Sequence, residues 1–267
     1  MKLCKQKPQK AECVPHPHFL RWLFVWITTV SVSGQLLAET EPILPVVEAN
    51  TFSIVARDPD TGELGVAVQS KIVGVGNIVP WAKADIGAVA TQAFANTEYG
   101  PIGLELLQRG VSPERAIDLM LRLDPYREVR QVGILNAKGE TAAFTGEKCQ
   151  DAATHITGEN FSVQGNLLTG KDVVQAIADA FEAAEGTLGE RMIAALKAGQ
   201  AAGGDKRGKQ SAALLIVKAG WGYGGQNDRF RDIRVDDHET PIEELDRVYQ
   251  LHQQMFPRPD AEREAGF

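Results

Sequence analysis

Several short stretches carry residue types that can do chemistry. Gly203-Gly204-Asp205-Lys206-Arg207-Gly208-Lys209 has the spacing of a phosphate-cradling loop, but Gln210 follows where a magnesium-binding Ser or Thr is required. It also leaves a helical stretch and enters a strand-like one, the reverse of the strand-to-helix setting in which a helix N-terminus meets phosphate. Asp236-Asp237-His238 offers ligand types suited to a divalent ion. It stands just before a helical stretch, where acids are accounted for by the helix dipole, and His155 and His252 show no ligand spacing to it. No GxSxG is present and the histidines are scattered, so a Ser-His-Asp hydrolase has no support.

Thr51 is different. A threonine opening a strand is ordinary β propensity. If the Asn50–Thr51 bond were cut, however, an α-amine with an ordinary pKa of about 7.7–8.0 would lie beside the hydroxyl and serve as its base, with no histidine needed. Pairing a hairpin about the turn Pro59–Gly62 sets Thr51 opposite Ser70 and Lys71. A cation there would lower the amine pKa and steer anions. Gln164-Gly165-Asn166 and Tyr99-Gly100-Pro101 read as turns, although the Asn166 amide could also donate to an oxyanion. The run Gly220-Trp221-Gly222-Tyr223-Gly224-Gly225 reads as a mobile aromatic loop, either a substrate lid or a plain connection.

The elements that must position these residues alternate in groups. TFSIVARDPDTGELGVAVQS from Thr51 reads as a β-hairpin. Further strands are expected at Ile86, Gln131, Thr141, Phe161, Ser211 and Asp232. Helices are expected at IGLELLQRG, at a segment capped by Ser112 with Pro113 in its first turn, at KDVVQAIADAFEAAEG, at LGERMIAALKAG and at TPIEELDRVYQLHQQMF, where Thr240, Pro241 and Glu243 form a capping signature. Strands in runs and helices in pairs, with apolar residues on both strand faces, predict an α+β fold of two packed sheets covered by helices, a four-layer αββα sandwich. The βαβ alternation and GxGxxG turn of a dinucleotide fold are missing.

Composition sets the class. The chain is 43% hydrophobic and 24% charged, ordinary globular material. Its 28 Lys and Arg against 35 Asp and Glu give a net charge of -7, which argues against a general nucleic-acid binder and against anionic lipid as a stable partner. Residues 1–21 carry Lys2, Lys5, Lys7, Lys10 and Arg21 against Glu12, and the apolar run LFVWITTVSVSG follows. That layout predicts a signal peptide over 1–38 rather than a permanent anchor, with cleavage after Ala38 or Ala49. A linker or propeptide follows over 39–50, where Pro42 and Pro45 forbid a regular helix. A domain is then expected over 51–256 and a disordered tail over 257–267. Loss of residues 1–50 removes five bases and four acids, leaving 23 against 31 and a net charge of -8. Of Cys4, Cys13 and Cys149 only the last then remains, and it is expected to be buried or idle.

TFSIVARDPDTGELGVAVQS, GAVATQAFANTEYGPIGLELL, RQVGILNAKGETAAFTG, FSVQGNLLTG, AAGGDKRGKQSAALLIV and GGQNDRFRDIRVDDHETPIEEL together resemble the domain-of-unknown-function 1028 family. The resemblance spans Thr51 to about Met255 and implies the αββα fold of the N-terminal-nucleophile (Ntn) hydrolases. It implies Thr51 as nucleophile: the hydroxyl attacks an amide carbon, the free amine takes the proton, and water hydrolyses the acyl-enzyme. Lys71 and Asn166 would assist it. Ser70, Thr91 and Gln92 are expected to line the pocket, with Asp205, Arg207 and Gln210 as secondary candidates. No cofactor or metal is expected.

Two functions stay open. One is an exported, periplasmic or extracellular amidohydrolase of a small molecule or short peptide. The other is a non-catalytic envelope binding or assembly protein, and either version could be membrane-tethered. A homodimer through the outer helices is expected.

Overall fold

A computed structural model describes residues 48–259. The expected signal segment, most of the linker and the last eight residues lie outside the described residues.

Strands β1 (Thr51–Arg57) and β2 (Leu64–Ser70) form the hairpin. Asp58 turns the chain by accepting the N–H groups of Asp60 and Thr61 on Oδ1 at 2.9 and 3.1 Å, while Gly62 takes a φ of 74°. This turn fixes the register, and Thr51 lies opposite Ser70. The hairpin is the middle of a six-stranded antiparallel sheet ordered β10-β9-β2-β1-β8-β7, which adds β7 (Thr154–Gly158), β8 (Phe161–Gly165), β9 (Ser211–Val217) and β10 (Arg229–Val235). A four-stranded antiparallel sheet takes β3 (Pro80–Lys83), β4 (Gly87–Ala93), β5 (Arg130–Asn136) and β6 (Thr141–Thr145) in chain order. Among the described residues five α-helices complete a mixed α+β arrangement: α1 (Tyr99–Gln108), α2 (Pro113–Leu123), α3 (Asp172–Ala183), α4 (Leu188–Ala201) and α5 (Pro241–Met255).

Side-chain alternation divides the core into three clusters. Phe52, Ile54 and Ala56 of β1 pack with Ile177 and Phe181 of α3, Met192 and Leu196 of α4, and Leu245 and Tyr249 of α5. The intervening Val55, with Val66 and Val68 of β2, meets Ala88, Ala90 and Leu135 from the smaller sheet. On that sheet's other face Val89, Val132 and Ile134 pack against Tyr99, Leu107, Ile117 and Met120 of α1 and α2.

Helix ends follow local chemistry. Ser112 caps α2 by accepting Arg115 N–H, and Thr187 and Glu190 form a reciprocal capping box on α4. Three expectations are corrected. Thr240 makes no side-chain cap on α5; its hydroxyl lies against His238 Nδ1 at 3.2 Å instead. Tyr99-Gly100-Pro101 is the first turn of α1 rather than a separate turn. Proline fits there because its missing N–H would have no helical acceptor, and Gly100 is required because a Cβ would sit 2.2 Å from the Trp81 ring. The edge strands β3 and β7 were not expected, being short and half-exposed and so carrying no continuous apolar signal.

Candidate functional site

Thr51 heads β1 at the centre of the larger sheet and is fully buried. Its carbonyl oxygen accepts the backbone N–H of Asn166, just past the end of β8, at 3.0 Å. It also accepts Gln92 Nε2, which reaches across from β4 of the other sheet, at 3.3 Å. Gln131 of β5 ties these two holders together, because its Oε1 accepts both Gln92 Nε2 and Asn166 Nδ2 at 2.8 Å. Ser53 donates to Gln92 Oε1 at 2.6 Å. Buried polar groups cost free energy unless paired, so this amide cluster between the sheets holds one geometry only while every member is present.

On the other side of Thr51 the chain is held just as closely. Ala49 forms a two-bond antiparallel bridge with Ala93, at 2.8 and 3.0 Å, and Ala93 takes a φ of 64°, in the left-handed region. The Asn50 carbonyl oxygen accepts two strong donors, Ser70 Oγ at 2.6 Å and Arg207 Nη2 at 2.7 Å. Arg207 is oriented by the buried carboxylate of Asp205, with Nη2 to Oδ2 at 2.7 Å and Nε to Oδ1 at 3.1 Å. Asp205 also accepts the backbone N–H groups of Arg207 and Lys71. Thr51 Oγ1 donates to the carbonyl of Ala49 and lies 3.4 Å from Ser70 Oγ. The side-chain oxygens of Asn50 and Asn166 are buried with no hydrogen-bond partner among the described residues.

The structure therefore brings Thr51, Ser70, Gln92, Asn166, Asp205 and Arg207 together. Three other sequence candidates point elsewhere. The exposed Lys71 sends Nζ to the Lys209 carbonyl at 3.4 Å, so the cation that touches the Asn50–Thr51 bond is Arg207. Thr91 neighbours Gln92 on β4 but faces the opposite side, as alternation requires, and its hydroxyl donates to Asn96 O at 3.0 Å. Gln210 directs its amide to Asp237, while its backbone N–H holds the Ser70 carbonyl. Asn166 contributes its backbone N–H to Thr51, its amide being spent on Gln131.

Gln131, Ser53, Asn50 and the Ala49–Ala93 bridge were missed. A signal for the first existed: Gln92 and Gln131 are directly paired in the β4–β5 register, amides where core residues belong. Cys149 takes no part. Burial pushes its thiol up to about 11, and Sγ donates to Arg130 O at 3.3 Å.

Among the described residues no group of three His, Cys, Asp or Glu side chains is placed to hold a metal ion, and no helix is long and apolar enough to cross a membrane.

Two antiparallel sheets joined through a buried amide cluster, with a threonine heading the central strand, define the kind of protein this is: a mixed α+β domain organised around Thr51. The chain belongs to DUF1028, a family of unknown function, whose model matches residues 51–245 and so starts at that threonine. It is similar to the crystal structure of protein SPO2555 from Silicibacter pomeroyi, which matches the same family model. The two are 33% identical with a TM-score of 0.70, over 76% of this chain and 86% of that one. No curated protein matches the chain.

Proposed function

We propose that this protein is an exported amide hydrolase of the Ntn type that frees its own nucleophile by cutting the Asn50–Thr51 bond. The observation that carries the reading is the Asn50 carbonyl, whose oxygen takes both Ser70 Oγ and Arg207 Nη2 while the Thr51 hydroxyl is buried beside it. Two donors fixed on one carbonyl oxygen in a water-poor site are an oxyanion hole in waiting. Three core clusters, of which two join helices to a sheet and one joins sheet to sheet, support assigning the αββα layering to this fold.

The chemistry proceeds in two stages. Thr51 Oγ1 attacks the Asn50 carbonyl carbon, its proton passes to the amide nitrogen, and the C–N bond breaks, leaving Asn50 esterified to Oγ1. Water hydrolyses that ester, giving a carboxylate on Asn50 and a free amine and hydroxyl on Thr51. Departure of residues 48–50 releases Ser70 Oγ and Arg207 Nη2 for a substrate acyl oxygen. The orphaned Asn166 Oδ1 is an acceptor of the kind the new amine needs. That amine then takes the hydroxyl proton as Thr51 attacks a substrate amide, and water completes the cycle. The substrate of this reading is a small molecule or short peptide whose acyl oxygen takes the place of the Asn50 carbonyl oxygen beside Ser70 and Arg207. The basic, then apolar, segment at the N-terminus supports export.

Intact mass and N-terminal sequencing of the protein recovered after export test this. The expected chain starts at Thr51, the Thr51→Ala chain stays uncut and the Thr51→Ser chain is cut. A wild-type chain starting at Glu39 or Asn50 overturns it and leaves the envelope binding protein as the better reading.

A further inference from the structure

The glycine-rich loop at 220–225, strand β10 and the end of α5 enclose a cleft of 610 Å³ that shares no residue with the Thr51 site. That volume is in the range of small-molecule sites. Its walls are rings. Trp221 and Phe230 meet edge to face at 4.9 Å, and Tyr223 and Phe256 at 6.2 Å. Tyr223 is 80% exposed at the rim, and Gly220, Gly224 and Gly225 all have positive φ, which only glycine adopts cheaply.

The charges lining the cleft are of one sign. Arg229 and Arg231 contribute, beside the neutral ring of His252, and no carboxylate does among the described residues, in a chain with more acids than bases. Arg229 is paired with Asp232 at 3.0 Å. Arg231 is not paired with any carboxylate among the described residues, although it is only 1% exposed. Its guanidinium lies 3.6 Å over the Phe230 ring; Nη2 donates to Phe256 O at 2.9 Å and Nη1 to His252 Nδ1 at 3.1 Å. Nε–H is buried and has no hydrogen-bond partner among the described residues. Glu63, which is ion-paired with Arg258 at 3.1 Å, also favours the charge of Arg231, as does Tyr249. A buried guanidinium without a contacting anion is costly, and carbonyl contacts alone compensate it only in part.

We propose that this cleft is a second binding site, for a small molecule that joins a flat apolar ring system to a carboxylate. The rings supply stacking surface, and Arg229 and Arg231, with no carboxylate among the described lining residues, favour an anionic group beside them. The inference is independent of the chemistry at Thr51.

Calorimetric titration of the full protein with 2-naphthoate and with its neutral analogue 2-naphthylmethanol tests it. Naphthoate is expected to bind once per chain and to quench Trp221 fluorescence, with the alcohol about tenfold weaker, the order expected for loss of one charged hydrogen bond. Arg231→Met should weaken naphthoate about as much. Because Arg231 also holds Phe256 O, the exposed Tyr223→Asp is the second variant. Its carboxylate should repel the ligand and weaken binding severalfold, with the melting temperature unchanged. Equal binding of acid and alcohol, no saturation at millimolar naphthoate, or unaltered binding to Tyr223→Asp would overturn the proposal.

Discussion

Arg207 donates through Nη2 to the carbonyl oxygen of Asn50 at 2.7 Å, a contact between residues 157 positions apart in the chain. It joins the loop before β9 to the bond before β1. The bond that must break to free Thr51 is thus held by a side chain whose own direction is set by Asp205.

If this contact stabilises charge on the Asn50 oxygen, its removal slows cleavage without unfolding the protein. Arg207→Ala is expected to slow appearance of the chain starting at Thr51 by roughly 10²-fold, the usual effect of losing one oxyanion donor, and Ser70→Ala by a similar factor. Asp205→Asn should act through Arg207 and cost less. Intact mass against time for each purified variant provides the check, and unchanged cleavage in Arg207→Ala would remove its assigned role.

The amide cluster makes a different prediction, about stability. Gln131→Leu leaves Gln92 Nε2 and Asn166 Nδ2 without their shared acceptor in a dry interior. A loss of about 1–3 kcal/mol is expected, chiefly from Asn166 Nδ2, because Gln92 Nε2 keeps the Thr51 carbonyl as an acceptor. Gln92→Leu should be similar, and the double variant should cost clearly less than the sum because both break one network. Urea unfolding of the three variants decides between a coupled cluster and independent bonds.

The core of the fold was legible because its signals are local and repeated. The turn at Asp58–Gly62 set the register that puts Thr51 against Ser70, and Ser112 marked the start of α2 by the hydrogen bond it makes to its own first turn. The site was legible only in part. Ser70 and Gln92 follow from strand pairing and alternation, whereas Arg207 reaches Asn50 from a loop whose path depends on Asp205 and on the Leu168–Asp205 bridge. Lys71 stood ahead of Arg207 because strand pairing sets it beside Ser70, but its side chain leaves the sheet edge toward Lys209. Strands β3 and β7 escaped for a related reason: an edge strand is held by its neighbour's backbone, and its sequence need not alternate.

Glycine 133 offers a sharp steric check on how the sheets approach. A Cβ there would fall 2.0 Å from Gln164 Oε1, which arrives from β8 of the other sheet. Gln164 cannot simply move aside, since its Nε2 donates to Ser53 Oγ at 2.6 Å and its Oε1 accepts Ser162 Oγ. Gly133→Ala is therefore expected to destabilise the fold by about 1–3 kcal/mol, the cost of overpacking a closed core. A neutral effect by thermal or urea unfolding would mean that the sheets are farther apart than described.

Stability should fall on both sides of neutrality, for reasons that can be separated. Burial lowers the pKa of His155 and of His252, the latter also through Arg231, so both imidazoles bind protons less readily folded than unfolded. Their contribution is complete above the ordinary histidine value of about 6.5 and is lost as the pH falls below it. Burial alone would raise Asp124, but hydrogen bonds from Arg130, Tyr99, the Tyr126 N–H and Asn96 together bring its carboxyl below the usual range. Its share is present above the ordinary carboxylate pKa and disappears as pH drops through the lowered one. On the alkaline side, burial and the bond to Asp124 push Tyr99 well above its ordinary value, so its share persists below about pH 10 and is lost at higher pH. The urea midpoint is expected to be level between about pH 7 and 9 and to decline beyond each limit. In Asp124→Asn the buried Arg130 loses its anion, at 2.8 Å in the native protein, which should cost about 3–5 kcal/mol at pH 7 and flatten the decline below pH 5. An acid limb as steep as that of the wild type in this variant would show that other carboxylates govern it.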